Sequence, residues 1–225
     1  MTNKIDVLDH GYVRLVDHMG DDLSVVRAAR VSHDAAWRTG EDAGKDEKLI
    51  NFLLKNKHTS PFEHVIFTFE VKAPIFVFRQ WHRHRTWSFN EVSARYSELP
   101  EEFYLPKAEH IGTQSIDNHQ SRDLDQFNDP ATDTIPLMKS TMLYAFSAYR
   151  ELLKQGVPRE LARTVLPVAT YSKMFATVDL HNLFHFLTLR LHEHAQYEIR
   201  VYAEAMYQLI KPIVPVCAKA WENNK

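Results

Sequence analysis

From Val65 to Val71 the chain alternates strictly, with Val65, Phe67, Phe69 and Val71 on one side and Ile66, Thr68 and Glu70 on the other. Side chains along a strand face opposite ways with a period of two. This stretch therefore predicts a strand with one face in the core and the other half-wet. Such a strand needs neighbours in a sheet and a second layer against its apolar face. Pro74 follows closely and suits a first helical position, predicting a helix to about Arg83.

Other segments supply the rest of that layer. Residues 10–18 read as a strand, and 21–31 as a helix begun at Asp21 or Asp22. Residues 44–57 form an amphipathic helix with Leu49, Ile50, Leu53 and Leu54 on one face. Leu137, Met138, Met142, Phe146, Tyr149 and Leu153 mark another, ended by Gly156, and Pro158 opens a short helix carrying Arg163. Val168 to Val178 reads as a strand. Asp179 is a good N-cap for a long final helix with a stripe of Leu180, Leu183, Phe184, Leu187, Leu191, Ala195, Ile199, Tyr202 and Met206, stopped by Pro212 and Pro215. Residues 107–135 are polar throughout and read as a long surface excursion, an insertion or lid. Helices and strands do not alternate regularly. The expected fold is α+β, a mixed, mainly antiparallel sheet flanked by long helices in a single domain over residues 1–225.

Composition removes several classes of function. A net charge of −2 and a pI near 6.7 argue against a general polyanion binder. No apolar run approaches the ~20 residues of a membrane span, and the N-terminus lacks a signal-peptide pattern, so a cytoplasmic protein is expected. Cys217 is the only cysteine, which excludes an intrachain disulfide and a four-cysteine zinc site. Six glycines form neither GxGxxG nor GxxxxGK[ST]. If nucleotides are held, side-chain cations must take the place of a glycine-rich phosphate loop.

Those cations are concentrated between Gln80 and Ser97, in QWHRHRTWSFNEVSARYS. Guanidinium forks match phosphate oxygens, and Asn90, Glu91 and Ser93 suit the edge of a heterocycle. Trp81, Trp87, Phe89 and Tyr96 are interleaved, which a solvated basic helix end would rarely collect. A nucleic-acid module stacking bases on these aromatics is the rival reading, disfavoured by the overall charge. His181 and His185 are spaced like a helical metal pair, with His192 and His194 following. No HExxH is present, and no metal is expected. On a helix Arg190 points about 140° away from His185, giving that helix two polar faces.

The same segment resembles the signature of flavin-dependent thymidylate synthases: Arg83-His84-Arg85, then TWSFNEV, then Ser93. The match is extended by Gln80, by Asn90-Glu91 and by Arg95-Tyr96-Ser97. VVRAARVS at 25–32, KHTSPFEHVIFTF at 57–69, ELARTVLP at 160–167 and DLHNLFHFLTLRLHEHAQYEIR at 179–200 are similar to further family segments. The resemblance covers nearly the whole chain, apart from 107–135 and the extreme C-terminus.

What the resemblance implies is reductive methylation of dUMP to dTMP. Carbon comes from 5,10-methylenetetrahydrofolate, and hydride passes from NADPH through FAD. It also implies a homotetramer with active sites shared between subunits, and no nucleic-acid or membrane partner. Carried over by position, dUMP is expected on Gln80, Trp81, His82, Arg83, Glu91, Val92, Ser93, Ala94, Arg95, Arg163 and Arg190, with Arg190 catalytic. FAD is expected on Ser32, His58, Ser60, Glu63, Arg83, His84, Arg85, Asn90, Glu91, Asp179, Leu180, His181 and His185. His194 matches a folate or nicotinamide contact. The chain departs from the common family residues at Ser60, Ala94, Asp179, His181 and His185, and histidine contacts would make flavin binding sensitive to pH. The residues agree with this chemistry independently. Cys217 lies far in sequence from every polar cluster, and a flavin hydride route needs no thiol. Ser93 has no His-Asp relay beside it and suits a phosphate-site hydroxyl.

Overall fold

The computed structural model describes residues 3–117, 119–124 and 131–225, the side chains of 131 and 132 excepted. In chain order the elements are β1 (Lys4–Val7), β2 (Gly11–Met19), α1 (Asp22–Val31), α2 (Ala43–Lys55), β3 (Ile66–Pro74), α3 (Ile75–Trp81) and β4 (Ser88–Glu91). There follow β5 (Thr113–Gln114), β6 (Arg122–Asp123), α4 (Ala131–Lys154), α5 (Arg159–Ala162), β7 (Tyr171–Asp179), α6 (Leu180–Arg190), α7 (Tyr197–Ile210) and α8 (Pro215–Glu222). A 3-10 turn at Ser60–His64 precedes β3.

Five strands form one sheet in the order β1-β2-β3-β7-β4. β3 is central, with Phe69 opposite Leu15 on β2 and Ala176 on β7. The fold is α+β as expected. Among the described residues every pairing is antiparallel, so the sheet is not mixed. Val65, Phe67, Phe69 and Val71 are fully buried, on the face that the alternation predicts. That face meets Val77, Phe78 and Trp81 of α3, Leu183, Phe186 and Leu187 of α6, and Ile199, Tyr202 and Met206 of α7 in one core. The approach of α7 requires Gly11: a Cβ there would lie 2.0 Å from the Tyr202 hydroxyl, which donates to the Lys72 carbonyl at 2.8 Å.

Three expectations need correction. Pro74 closes β3 and stands at the N-cap of α3, and that helix stops at Trp81, so Arg83 and His84 lie in the turn beyond it. The predicted strand from Val168 begins only at Tyr171. The long final helix is two helices. It breaks over 191–196, where the His194 amide donates to His192 Nδ1 at 3.2 Å and Gln196 turns toward Gln80. The apolar stripe survives because α6 and α7 each bury their share of it in the same core. The second of these, α7, does stop before Pro212, at Ile210, and Pro215 then opens a further helix, α8, as proline at a first helical position can.

The expected excursion at 107–135 is in part structured; residues 118 and 125–130 lie outside those described. The β5–β6 hairpin is fastened to α7 by Arg122, and His110 stacks on Tyr197 with ring centroids 3.8 Å apart. α4 already begins at Ala131 and runs to Lys154, and Gly156, at φ 82°, turns the chain just beyond it. Among the described residues no helix is long and apolar enough to cross a membrane. None of them form a cluster of three or more groups suited to a metal ion.

Candidate active site

The turn after α3 is held by its aromatics. Trp81 is fully buried and stacks on Phe186 at 4.9 Å, and Trp87 packs against both. These rings are core anchors, and Trp81, expected among the dUMP contacts, has no exposed side-chain surface. Leu180 is equally buried. With the turn fixed on both sides, His84 points inward at 7% exposure, while Arg83 and Arg85 stand out in solvent.

His84 meets the end of α6. Arg190 Nε donates to His84 Nε2 at 3.0 Å, and Arg190 Nη2 donates to the Gln80 carbonyl at 3.2 Å. The His185 ring lies 6.1 Å from that of His84. Despite their helical phase, His185 and Arg190 therefore reach the same histidine, because Arg190 is the last residue of α6 and can fold back across its end. Burial, then the Arg190 charge, then His185 push the His84 pKa down to about 4. At neutral pH His84 is uncharged, with Nε2 accepting and its proton on Nδ1. Burial also lowers the Arg190 pKa, yet so strong a base stays charged. The result is a half-buried cation aimed by a neutral imidazole and a peptide carbonyl.

A second group lies at the end of α1. Ser32, His58 and Ser60 line one cavity of about 550 Å³ with Arg30, His33, Phe52 and His64. Hydroxyls and imidazoles are its polar lining, with no carboxylate among the described lining residues. Arg30 is turned to Asp46 at 2.5 Å and to the Arg38 carbonyl at 2.6 Å, so the hydroxyls and imidazoles are the donors left for a phosphorylated ligand. The Ser60–His64 turn packs against both α1 and α6, which connects this cavity to the helix bearing His181, His185 and Arg190. Glu63 is exposed on that turn. The Asp179 carboxylate caps α6, accepting from the Asn182 amide at 2.9 Å and from Asn182 Nδ2 at 2.6 Å.

A third group sits at the β4 edge of the sheet. Asn90 and Glu91 pair with Phe175 and Met174 of β7, and both side chains are exposed. The chain then turns, with Ser93 Oγ accepting from the Arg95 amide at 3.3 Å and Ala94 buried. Arg95 lies 3.6 Å from the Glu160 carboxylate, and Arg163 donates to the Glu160 carbonyl at 3.4 Å. Two arginines thus converge on one exposed stretch. His82 packs edge-on to Phe89 at 4.8 Å, Val92 is exposed, and His194 stands in the α6–α7 break with its ring 5.0 Å from that of His192.

Sequence reasoning missed a polar chain behind Gln80. Gln80 Nε2 donates to Gln196 Oε1, and Gln196 Nε2 donates to Glu198 Oε2 at 2.8 Å. Glu198 is 2% exposed and receives Arg122 Nη2 at 2.8 and 2.6 Å and the Tyr104 hydroxyl at 3.0 Å. Burial opposes its ionisation, but the Arg122 hydrogen bond and charge hold its carboxyl below the usual range. A glutamate set beside the buried stripe of α7 was the available signal.

Cys217 is on α8, fully buried, with its amide bonded to Asp22 at 2.8 Å and its thiol pKa pushed far up by burial and by Asp22. It cannot serve as a thiolate nucleophile.

Residues 14–216 match the family model described as thymidylate synthase complementing protein. A flavin-dependent thymidylate synthase of Treponema denticola is 46% identical over all of this chain and 84% of its own length. One from Thermus thermophilus is 49% identical over 98% of this chain and 78% of its own. Among solved structures, a UMP/dUMP methylase, PolB, from Streptomyces cacaoi bound with 5-Br dUMP superposes with a TM-score of 0.85 at 37% identity, covering 97% of each chain. The same methylase bound with 5-Br UMP gives 0.86 at 39% identity over 98% of this chain and 97% of that one.

Proposed function

The chain belongs to the flavin-dependent thymidylate synthases, and from that premise we propose how its residues divide the work. The reaction is the reductive methylation of dUMP to dTMP, with 5,10-methylenetetrahydrofolate as carbon donor, NADPH as reductant and FAD between them. The observation that carries the assignment of roles is the Arg190–His84 contact, which aims a half-buried guanidinium between the Gln80 segment and the flavin-side histidines.

Arg190 faces the pyrimidine and stabilises negative charge developing on a ring carbonyl, an effect worth several kcal/mol where water is excluded. His84 keeps it aimed without competing as a second cation. Gln80, Arg83, Glu91, Ser93, Ala94, Arg95 and Arg163 hold dUMP, with main-chain help from Trp81, His82 and Val92. The pair Arg95 and Arg163 suits the phosphate, which would take the place of Glu160 beside Arg95. FAD is held by Ser32, His58, Ser60, Glu63, Arg83, His84, Arg85, Asn90 and Glu91, and by the start of α6 at Asp179, Leu180, His181 and His185. The carboxylate-free lining of the Ser32 cavity supports that fit. When bound, FAD supplies the hydride transfer that makes a thiol nucleophile unnecessary. His194 is the folate or nicotinamide contact.

The working form is a homotetramer of single-domain subunits in the cytoplasm. Val92, Tyr96, Leu161 and Leu189 are exposed apolar side chains around the three groups of site residues, and a neighbouring subunit is what would cover them. The purified protein should be yellow, bleached by NADPH and recoloured by oxygen. A colourless protein that cannot be reconstituted with FAD would overturn the reading.

A further inference from the structure

Gln80 is placed among the nucleotide contacts, but nothing about glutamine alone fixes which end of its amide faces the ligand. The chain behind it does. Glu198 accepts hydrogen bonds at both oxygens, from Arg122, Tyr104 and Gln196. An ionised carboxylate can only accept, so the atom of Gln196 beside it must be the NH2 group. Gln196 Oε1 therefore faces Gln80, and only an N–H can meet it there. One N–H of the Gln80 amide is thus taken by Gln196, which fixes the amide's orientation and leaves Oε1 for another partner.

We propose that Glu198, acting through Gln196, is a positioning residue that sets the Gln80 amide so that its carbonyl oxygen faces the nucleotide as an acceptor for an O–H or N–H of dUMP. Arg122 Nη2 fastens this relay at its far end, so Arg122 on β6 contributes to nucleotide binding through Glu198. The inference rests on the functional reading above and adds a hydrogen-bond polarity to one of its contacts.

The same network explains why the residue behind Gln80 is an amide. A carboxylate in place of Gln196 would confront Glu198, and an apolar residue would free the Gln80 amide to rotate. A freely rotating amide presents NH2 to the ligand part of the time, where two donors meet and one hydrogen bond is lost.

Two variants test this, Gln196→Leu and Glu198→Gln, each assayed as the FAD-loaded enzyme. The first cuts the relay and leaves the Arg122–Glu198 pair in place. The second keeps the shape but supplies an NH2 that lets Gln196 reverse. Dissociation constants for dUMP, read from the perturbation of the flavin spectrum, should rise roughly tenfold in both, the cost of about one hydrogen bond. Flavin content and the folate KM should stay at wild-type values, which a merely structural defect would not leave unchanged. Unaltered dUMP binding in either variant overturns the relay, and so does loss of flavin or of folding in both. A wild-type protein that binds neither FAD nor dUMP would instead overturn the functional reading itself.

Discussion

Arg190 Nε and His84 Nε2 lie 3.0 Å apart, a guanidinium donating to an imidazole that has to be neutral to receive it. The contact ties the end of α6 to the turn after α3, two segments 106 residues apart in sequence. It also orders the other contacts of the site around a single cation.

Replacing that cation should separate binding from chemistry. Arg190→Ala removes the charge and leaves the Ser32 cavity intact. Formation of dTMP should fall by roughly 10²–10³-fold or more while the flavin stays bound. Turnover and flavin absorbance on the same preparation check it, and loss of the flavin would place Arg190 in cofactor binding.

His84 predicts a pH effect of definite sign. Its folded-state pKa, about 4, lies below the ordinary 6.5. Between these values the unfolded chain takes up a proton that the native state refuses, so stability falls as pH drops from 6.5 toward 4. Above 6.5 His84 contributes no pH dependence. His84→Gln keeps an acceptor for Arg190 and should flatten that part of the profile, measured as Tm between pH 4 and 7. An unchanged slope would mean that His84 is not the group responsible.

Much of this was legible in the sequence, and the parts that were not share a cause. The strand at 65–71 and the helices over it follow from local periodicity, and the cation-rich segment is contiguous. The break at 191–196 was hidden because Leu187, Leu191, Ala195 and Ile199 keep helical spacing across it. What breaks the helix there accompanies long-range pairing, Gln196 with Gln80 and Glu198 with Arg122. That Trp81 and Trp87 pack on Phe186 was likewise not legible, because the pairing is long-range and composition does not show which ring an aromatic meets.

The guanidinium fork matters at the β4 edge. Arg95→Lys and Arg163→Lys should each raise the dUMP KM by about tenfold with little change in flavin content, since a point charge cannot replace two parallel N–H donors. Steady-state kinetics at varied dUMP decide it. An unchanged KM in both would move the phosphate elsewhere.

Arg122→Met leaves Glu198 buried without its cation. Stranding one member of a buried ion pair costs about 3–5 kcal/mol, so this variant should be among the least stable single substitutions in the chain. Denaturant unfolding would show it, and a loss below about 1 kcal/mol would mean that water reaches Glu198.

Cys217→Ala should keep nearly full turnover and lose only about 1 kcal/mol of stability through its core contacts. A folded but inactive variant would restore a thiol mechanism.

The most direct test supplies the purified protein with dUMP, 5,10-methylenetetrahydrofolate and NADPH, with and without FAD, and quantifies dTMP by chromatography. The account predicts dTMP that depends on FAD and is lost in Arg190→Ala. No dTMP, or dTMP formed equally well without flavin, would contradict it.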